Sequence, residues 1–400
     1  MQRFYTEILK NHFQKNRQMA FISGPRQVGK TTVCKHSAEG EENYYFNWDN
    51  SEHRRKILEG PKSLAQAAGL NNLSSAKPFL ILDEIHKYTD WKNFLKGFFD
   101  TYGEKYKILI SGSAKLDFFK QGGDSLMGRY FSYRIHPLSI RELIDPSLNK
   151  KELSKPQEIS DKLLTKLLTF GGFPEPFLKK DKLFYNQWKK LRKQQLFKED
   201  LSDLTKIYDV QQMEVLADIL KIQAGSLTNF SSLAKKVRIS HDTVQRWLAI
   251  LKGLYYCYVI RPWSKNISRS LIKEPKIYLW DWSLVENIGA RLENFVASHL
   301  LKAVHFWTDY GFGEYDLYYL RDKDKREVDF LVTKDKQPWF LVEVKNSDKE
   351  LSKSLYHFQK QTKAKHAFQI NANAPFVDRD CFEIKEPVIV PLKTFLSQLI

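Results

Sequence analysis

A glycine-rich turn between a short apolar run and a helical pattern is the feature that most constrains the fold of this chain. The apolar run 19–22 leads into GPRQVGKT, which fits the phosphate-binding pattern G-x-x-x-x-G-K-[ST]. In such a turn the backbone N–H groups face a phosphate, Lys30 reaches the β- and γ-phosphates, and the Thr31 hydroxyl can ligate Mg²⁺. The predicted ATP-binding residues are Gly24, Pro25, Arg26, Gln27, Val28, Gly29, Lys30, Thr31 and Thr32.

An apolar strand pattern that ends in two acids supplies a second half for this site. Residues 79–85 read FLILDEI, so Asp83 is placed to hold Mg²⁺ through water and Glu84 to polarise the attacking water. The next strand pattern ends in Ser111-Gly-Ser113, where Ser113 could sense the γ-phosphate; a plain strand-to-turn exit is the alternative. Apolar strands that alternate with helical patterns predict an α/β fold with a parallel sheet covered on both faces.

Two arginines in the segment GRYFSYRIHPLSIREL are candidates for stabilising charge on the transferred phosphoryl group. A guanidinium directed at the γ-phosphate has this effect, and a neighbouring subunit often supplies it. We predict this catalytic role for Arg129 ahead of Arg134. A structural ion pair is the alternative for both.

Composition indicates the kind of partner. The chain has 400 residues, enough for roughly two to three domains, and a formal net charge of +17. Such a positive balance favours a partner rich in phosphate, and nucleic acid ahead of a nucleotide alone; a merely basic, soluble surface is the alternative. No run approaches the roughly 18 apolar residues of a membrane span, and the N-terminus lacks an apolar signal core. We therefore expect a cytoplasmic protein that does not enter a membrane.

Six motifs follow one another along the chain: GPRQVGKTT, FNWDN, LILDEIHK, ISGSA, GRYFSYRIHPLSIREL and GGFPEP. In this order they resemble a widespread prokaryotic family that joins an AAA-type ATPase to a C-terminal part resembling a winged helix and a restriction-endonuclease-like fold. The resemblance covers nearly the whole chain and implies a homo-oligomer, in the form of a hexameric ring. The predicted segments are an ATPase core at 1–145, a helical lid at 146–205, a winged helix at 206–275 and a nuclease-like domain at 276–400.

A pair of helical patterns is the candidate for reading DNA. Residues 229–237 place their apolar side chains on one face, and Ser240 suits the N-cap of a second helix that carries exposed polar residues near its start. Helix, tight turn, helix and then a β-prone segment is typical of a winged helix. Packing against protein is the alternative use of this surface. The predicted DNA contacts are His241, Thr243, Gln245 and Arg246, with Lys265 and Arg269 at the tip of the wing.

Acids and a lysine lie within apolar strand patterns near the C-terminus. Strand alternation puts Glu343 and Lys345 on one face, and Asp329 lies between two apolar residues. Asp-x(13)-Glu-x-Lys is the pattern of the PD-(D/E)xK nucleases, in which the two acids hold Mg²⁺ and the lysine orients the attacking water. Glu293, in a helical pattern, could add a further acid to the metal site. Whether such a site is active stays open, since Val328 precedes Asp329 and the chain therefore lacks the strict PD pair.

Three functions are compatible with these patterns. The first is an ATPase that moves on or remodels DNA and carries a metal-dependent nuclease tail, with ATP and Mg²⁺ as cofactors. The second is an ATP-driven regulatory switch that binds DNA or protein through the winged helix, with an inactive nuclease fold. A small-molecule P-loop kinase is the third; it leaves the positive charge and the C-terminal half unexplained.

Overall fold

The computed structural model describes residues 1–72, 76–112, 126–201, 209–264, 274–347 and 350–400. Contacts within this part of the chain divide it into two compact units. The first unit comprises Met1–His136 with Pro146–Leu148, and the second comprises Pro137–Asp145 with Asn149–Ile400. The four-segment division of the sequence remains a prediction.

The first unit is built on a five-stranded parallel sheet. Its strands are β1 (Met19–Ser23), β2 (Asn43–Asn47), β3 (Phe79–Asp83), β4 (Lys107–Ser111) and β5 (Tyr130–Arg134), in the order β2-β3-β4-β1-β5. Every residue of β1 and β3 is buried, which explains their almost wholly apolar sequences. The predicted α/β architecture of this part is confirmed.

Helices cover this sheet. They are α1 (Phe4–Lys15), α2 (Lys30–Ser37), α3 (Ser51–Leu58), α4 (Pro61–Ala67) and α5 (Trp91–Tyr102), with one 3₁₀ turn at Ile85–Lys87. Helix α5 shows why the sequence folds this way, because its buried residues recur at helical spacing. They are Trp91, Phe94, Leu95, Phe98 and Phe99, and they join the same hydrophobic cluster as Phe21 and Leu80.

The second unit contains a seven-stranded mixed sheet. Its strands are β6 (Cys257–Pro262), β7 (Lys276–Leu279), β8 (Tyr315–Arg321), β9 (Glu327–Lys334), β10 (Gln337–Lys345), β11 (His366–Asn371) and β12 (Val388–Pro391). The order is β12-β11-β10-β9-β8-β6-β7. Strand β6 pairs antiparallel with β7 and parallel with β8, so the predicted winged-helix and tail segments share one sheet.

The helices of the second unit are α6 (Ile140–Ile144), α7 (Asp161–Phe170), α8 (Pro174–Lys179), α9 (Lys182–Gln194), α10 (Val210–Ile222), α11 (Phe230–Val237), α12 (His241–Gly253), α13 (Ile288–Tyr310), α14 (Lys353–Thr362) and α15 (Leu392–Ser397). A π-helical turn follows α9 at Gln195–Asp200, and 3₁₀ turns occupy Trp282–Leu284 and Cys381–Glu383. Within the described ranges, none of the helices has the length and apolar character needed to cross a membrane.

The predicted helix pair is confirmed as local structure. Asn229 caps α11, accepting a hydrogen bond from the Ser232 backbone N–H at 2.8 Å, and Ser240 caps α12 by accepting from the Thr243 N–H at 3.1 Å. The apolar faces of α10, α11 and α12 pack into one cluster, which includes Trp247. The polar residues that the sequence placed near the start of α12 are therefore directed away from this core.

Candidate functional site

The turn between β1 and α2 adopts a backbone that only particular residues allow. Gly24, Gln27 and Gly29 have positive φ angles of 151°, 62° and 98°. A Cβ atom on Gly24 would lie 2.4 Å from the carbonyl oxygen of Ile135, just beyond β5. The first glycine of the motif is therefore required both by its dihedral angle and by the close passage of another backbone segment.

The Lys30 side chain lies inside this turn and hydrogen-bonds to two of its carbonyl groups. Its ammonium group donates to the carbonyl oxygens of Gly24 at 2.9 Å and Pro25 at 2.8 Å, and the side chain is buried. Burial lowers the pKa of Lys30 to about 8, while the charges of Glu84 and Asp83 oppose this shift. An anionic phosphate beside the ammonium would offset the same burial cost, because opposite charges favour the charged form.

Asp83, the last residue of β3, is held by hydroxyl groups from three other elements. Its Oδ2 accepts from Thr31 Oγ1 and from the Tyr45 hydroxyl, both at 2.8 Å, and its Oδ1 accepts from Ser111 Oγ. Mg²⁺ prefers hard oxygen ligands and is usually held by one or two protein groups together with phosphate oxygens. The adjacent oxygens of Thr31 and Asp83 fit that preference, so these two residues would hold the metal.

Glu84 follows directly and has a left-handed backbone, with φ of 56°. Its Oε2 is buried and has no hydrogen-bond partner within the described chain, although His86 Nε2 and Lys87 Nζ lie 3.5 and 3.8 Å away. Burial raises the pKa of Glu84, and the Lys30 charge acts in the opposite direction. A buried carboxylate oxygen that lacks a donor can accept a hydrogen bond from water, as a general base must.

The two arginine candidates lie at opposite ends of β5. Because Met19 pairs with Tyr130 and Ser23 pairs with Arg134 in parallel register, Arg134 is at the edge where the phosphate-binding turn begins. Arg129 is at the other edge, and its guanidinium makes a bidentate pair with Asp100, at 2.7 and 2.9 Å. Within one subunit, Arg129 is therefore far from the turn, and its predicted role requires a second subunit.

Three residues of this site lie outside the predicted set. Arg3 is buried and donates to the Val28 carbonyl at 2.9 Å and the His136 carbonyl at 2.7 Å, so it anchors the turn. Tyr45 and Ser111 hold Asp83, and only the strand end at Ser111 offered a signal in the sequence. Ser113, the predicted γ-phosphate sensor, lies outside the described residues.

The predicted DNA-contacting residues lie along the start of α12. His241, Gln245 and Arg246 are exposed, whereas Thr243 is half-buried and its hydroxyl contacts Ser240 Oγ at 2.8 Å. The neighbouring end of α11 adds exposed Lys235, Lys236 and Arg238. The two wing residues, Lys265 and Arg269, lie outside the described residues.

The predicted nuclease residues are close together, but they are engaged in ion pairs. Lys345 Nζ lies 3.0 Å from Glu343 Oε1, and the other oxygen of Glu343 is buried without a hydrogen-bond partner in the described chain. Asp329 Oδ2 accepts from the Val344 N–H at 2.9 Å. Glu293 accepts from the Tyr278 hydroxyl at 2.6 Å.

An unpredicted lysine lies among these acids. Lys276 Nζ is 3.1 Å from Glu293, 2.8 Å from Glu327 and 3.5 Å from Asp329. In the part of the chain that the structure describes, no three histidine, cysteine, aspartate or glutamate side chains are arranged to hold a metal ion. The predicted metal role of Glu293, Asp329 and Glu343 therefore stays a prediction.

The parallel sheet, the glycine-rich turn and the paired acids at the end of β3 define a P-loop nucleotide-binding protein. Residues 16–144 match the family described as AAA domain. The first unit of this chain accordingly contains an ATPase domain of the AAA type. Two families described as domains of unknown function match residues 161–294 (DUF8612) and 288–393 (DUF4143).

Similar proteins cover most of this chain. An uncharacterized protein of Mycobacterium tuberculosis is 22% identical over 352 residues, which is 84% of this chain and 72% of that protein. An uncharacterized protein of Methanocaldococcus jannaschii is 27% identical over 335 residues, with 78% and 71% covered. Among solved structures, the Walker-type ATPase of Pyrococcus abyssi is 14% identical, covers 70% of this chain and 93% of its own, and has a TM-score of 0.43.

Proposed function

We propose that this chain hydrolyses ATP by direct attack of water on the γ-phosphate. The observation that carries the proposal is the buried Glu84 oxygen that has no hydrogen-bond partner in the described chain, next to an Asp83–Thr31 pair that suits Mg²⁺. Glu84 accepts the proton of the attacking water, and Lys30 stabilises negative charge on the phosphates. The metal supplies charge neutralisation on the phosphate oxygens.

The experiment compares phosphate release by the wild type, Glu84→Gln and the exposed control Glu52→Gln. Loss of a general base should reduce kcat by roughly 10²-fold or more, while ATP binding persists. Glu52→Gln should retain wild-type activity, because Glu52 lies on the exposed first turn of α3. Unchanged hydrolysis by Glu84→Gln would remove Glu84 from this mechanism.

The ATPase cycle acts on DNA that is bound by the helix pair α11–α12. The exposed basic side chains at the end of α11 and the start of α12 support this step, together with the net charge of +17. Binding through phosphate contacts should weaken steeply with salt and show little sequence preference. Binding of protein through the same surface is the alternative from the second functional hypothesis.

Fluorescent-duplex titrations over a range of salt concentrations test this assignment. Arg246→Ala should weaken binding for all sequences and lower the salt slope by about 1, and DNA should stimulate ATP hydrolysis less in this variant. Lys360→Ala, an exposed lysine on α14, is the matched control. Equal effects of both substitutions would assign the binding to general surface charge instead of the helix pair.

Metal-dependent DNA cleavage by the C-terminal part is a second candidate, and the neighbouring positions of Asp329, Glu343 and Lys345 favour it. Plasmid cleavage with Mg²⁺ or Mn²⁺ should then disappear in Lys345→Ala. The ion pairs of these acids favour the other hypothesis, in which the nuclease-like part is inactive. Absence of cleavage, with DNA-stimulated ATP hydrolysis intact, would support the regulatory switch.

A homo-oligomeric ring brings Arg129 of one subunit to the ATP of its neighbour. This arrangement is testable by mixing two inactive variants, Lys30→Ala and Arg129→Ala. Mixed rings contain sites with an intact turn from one subunit and an intact arginine from the next, so part of the activity should return. Mass photometry with ATP measures ring size. Failure to recover activity in mixed oligomers would contradict the role of Arg129 in a neighbouring site and leave it the structural role of its ion pair with Asp100.

A further inference from the structure

The acidic cluster of the second unit is organised around a single buried amine. Lys276, the first residue of β7, has a side chain that is only 4% exposed. Its ammonium group contacts carboxylates from α13 and β9, at 3.1 Å to Glu293, 2.8 Å to Glu327 and 3.5 Å to Asp329. Three acids thus converge on one cation that the chain itself provides.

Each of these carboxylates has another donor besides the amine. Glu293 accepts from the Tyr278 hydroxyl at 2.6 Å, Asp329 accepts from the Val344 N–H at 2.9 Å, and Glu327 pairs with Arg321 at 2.5 Å. These donors orient the acids around Lys276. Burying charges together is tolerable only when they are paired and hydrogen-bonded, and this cluster meets both conditions.

A divalent metal does not fit the same place. Metal and ammonium would have to share Glu293 and Asp329, with two like charges close together in a largely buried region, where their repulsion is strong. The predicted metal ligands Glu293 and Asp329 are therefore already neutralised by a resident cation.

We propose that the Lys276 ammonium group is the built-in cation of this acidic cluster and takes the place of a divalent metal. The C-terminal part then keeps the arrangement of acids without depending on Mg²⁺. Removal of the amine leaves Glu293, Glu327 and Asp329 facing one another, and this creates a site for a divalent ion. This inference is independent of ATP hydrolysis.

Mn²⁺ binding to the full-length chain tests the proposal, with free Mn²⁺ measured by electron paramagnetic resonance. The measurements use an Asp83→Asn background without nucleotide, which removes the carboxylate of the two residues proposed to hold a metal at the ATP site. The parent should show no Mn²⁺ binding that depends on Asp329. Lys276→Met should bind about one additional Mn²⁺ per chain. The affinity of the acidic cluster for Mn²⁺ should be roughly tenfold or more above any residual affinity of the parent, because a repelling unit charge is gone.

Lys302→Met is the matched control. Lys302 is also buried, and its amine contacts the Glu142 carboxylate at 2.6 Å and the Pro137 carbonyl at 3.1 Å. Because this amine does not lie within the Glu293–Glu327–Asp329 cluster, its removal should not increase Mn²⁺ binding there. Lys276→Arg retains a positive charge, and it should likewise gain no Mn²⁺.

Two results would overturn the proposal. One is stoichiometric Mn²⁺ binding by the parent that is lost in Asp329→Asn, a comparison that does not require Lys276→Met to fold. The other is a folded Lys276→Met chain that binds no more Mn²⁺ than the parent. Thermal unfolding with and without Mn²⁺ gives a second readout, since the ion should raise the Tm of Lys276→Met selectively.

Discussion

Gly24 illustrates how one residue joins the phosphate-binding turn to the sheet. Gly24→Ala would place a methyl group 2.4 Å from the carbonyl oxygen of Ile135. Residue 24 also has a φ of 151°, which alanine rarely adopts, so the turn must shift. We expect ATP affinity to fall by about tenfold or more, measured with a fluorescent ATP analogue. Gly97→Ala is the control, because a Cβ there meets no described atom within 4 Å apart from its chain neighbours and its own helix backbone, and alanine favours the helix. Similar affinities for both variants would contradict the steric argument.

Tyr45 is expected to position Asp83 for the metal. Tyr45→Phe removes the hydroxyl that donates to Asp83 Oδ2 at 2.8 Å. A hydrogen bond to a charged group contributes about 1.5–3 kcal/mol, so kcat/KM should fall by roughly tenfold, and higher Mg²⁺ should recover part of the loss. Tyr44→Phe removes a comparable but exposed hydroxyl, bonded to Glu42, and should leave hydrolysis unchanged. Equal rates for the wild type and Tyr45→Phe would show that Thr31 and Ser111 suffice.

At the scale of elements, the start of α12 depends on its cap. Ser240→Ala removes the side-chain acceptor of the Thr243 N–H, and a lost cap costs about 1 kcal/mol. We expect this loss in the free energy of unfolding by urea, together with weaker DNA binding, since His241 and Arg246 lie in the first turns. Ser232→Ala, on an exposed position of α11, should change stability by less than about 0.5 kcal/mol. An unchanged free energy of unfolding in Ser240→Ala would contradict the capping role.

The GGFPEP motif is explained at the same scale by packing. A Cβ on Gly172 would lie 2.5 Å from the ring of Trp282 and 2.8 Å from the Leu138 carbonyl oxygen. Trp282 is fully buried and donates its indole N–H to the Leu167 carbonyl at 3.0 Å. The two glycines therefore end α7 against a tryptophan, and Pro174 begins α8. All these residues belong to the second unit, where the motif is a close-packed turn.

For the whole molecule, a buried histidine makes stability depend on pH. His299 Nδ1 contacts the Phe295 carbonyl at 2.8 Å, and Nε2 accepts from the Ile140 N–H at 3.0 Å. Burial lowers the pKa of His299 to about 3, from an ordinary 6.5. Between these values the unfolded chain takes up a proton that the folded chain does not, so His299 makes the folded state less stable as pH falls from about 6.5 towards 3.

His299→Gln should reduce this dependence. The free energy of unfolding, measured by urea titration, should fall between pH 6.5 and 4.5 more steeply for the wild type than for the variant. The difference in slope should reach up to about 1.4 kcal/mol per pH unit. The exposed His36→Gln serves as the control and should follow the wild type. Parallel curves for the wild type and His299→Gln would contradict the role of the buried imidazole.

Much of the nucleotide site could be predicted because its signals are local. The turn lies within eight consecutive residues, and Asp83 and Glu84 stand at the end of one buried strand. The helix pair of the second unit is local in the same way, since Ser240 caps the helix that begins at His241. Strand and helix periodicities, turn glycines and caps depend on neighbours along the chain, so they are visible without a fold. These features determined the α/β class of the first unit and the helix pair.

Only the tertiary structure decided which distant residues meet. Parallel register placed Arg129 at the far edge from the turn and Arg134 at the near edge, a distinction that the motif itself does not contain. The long Lys276 side chain reaches Asp329, 53 positions later, although their strands β7 and β9 are not neighbours in the sheet, and this contact changed the interpretation of the acidic cluster. The physical reason is that strand order and register are set by packing over the whole sheet, whereas sequence patterns report only local geometry.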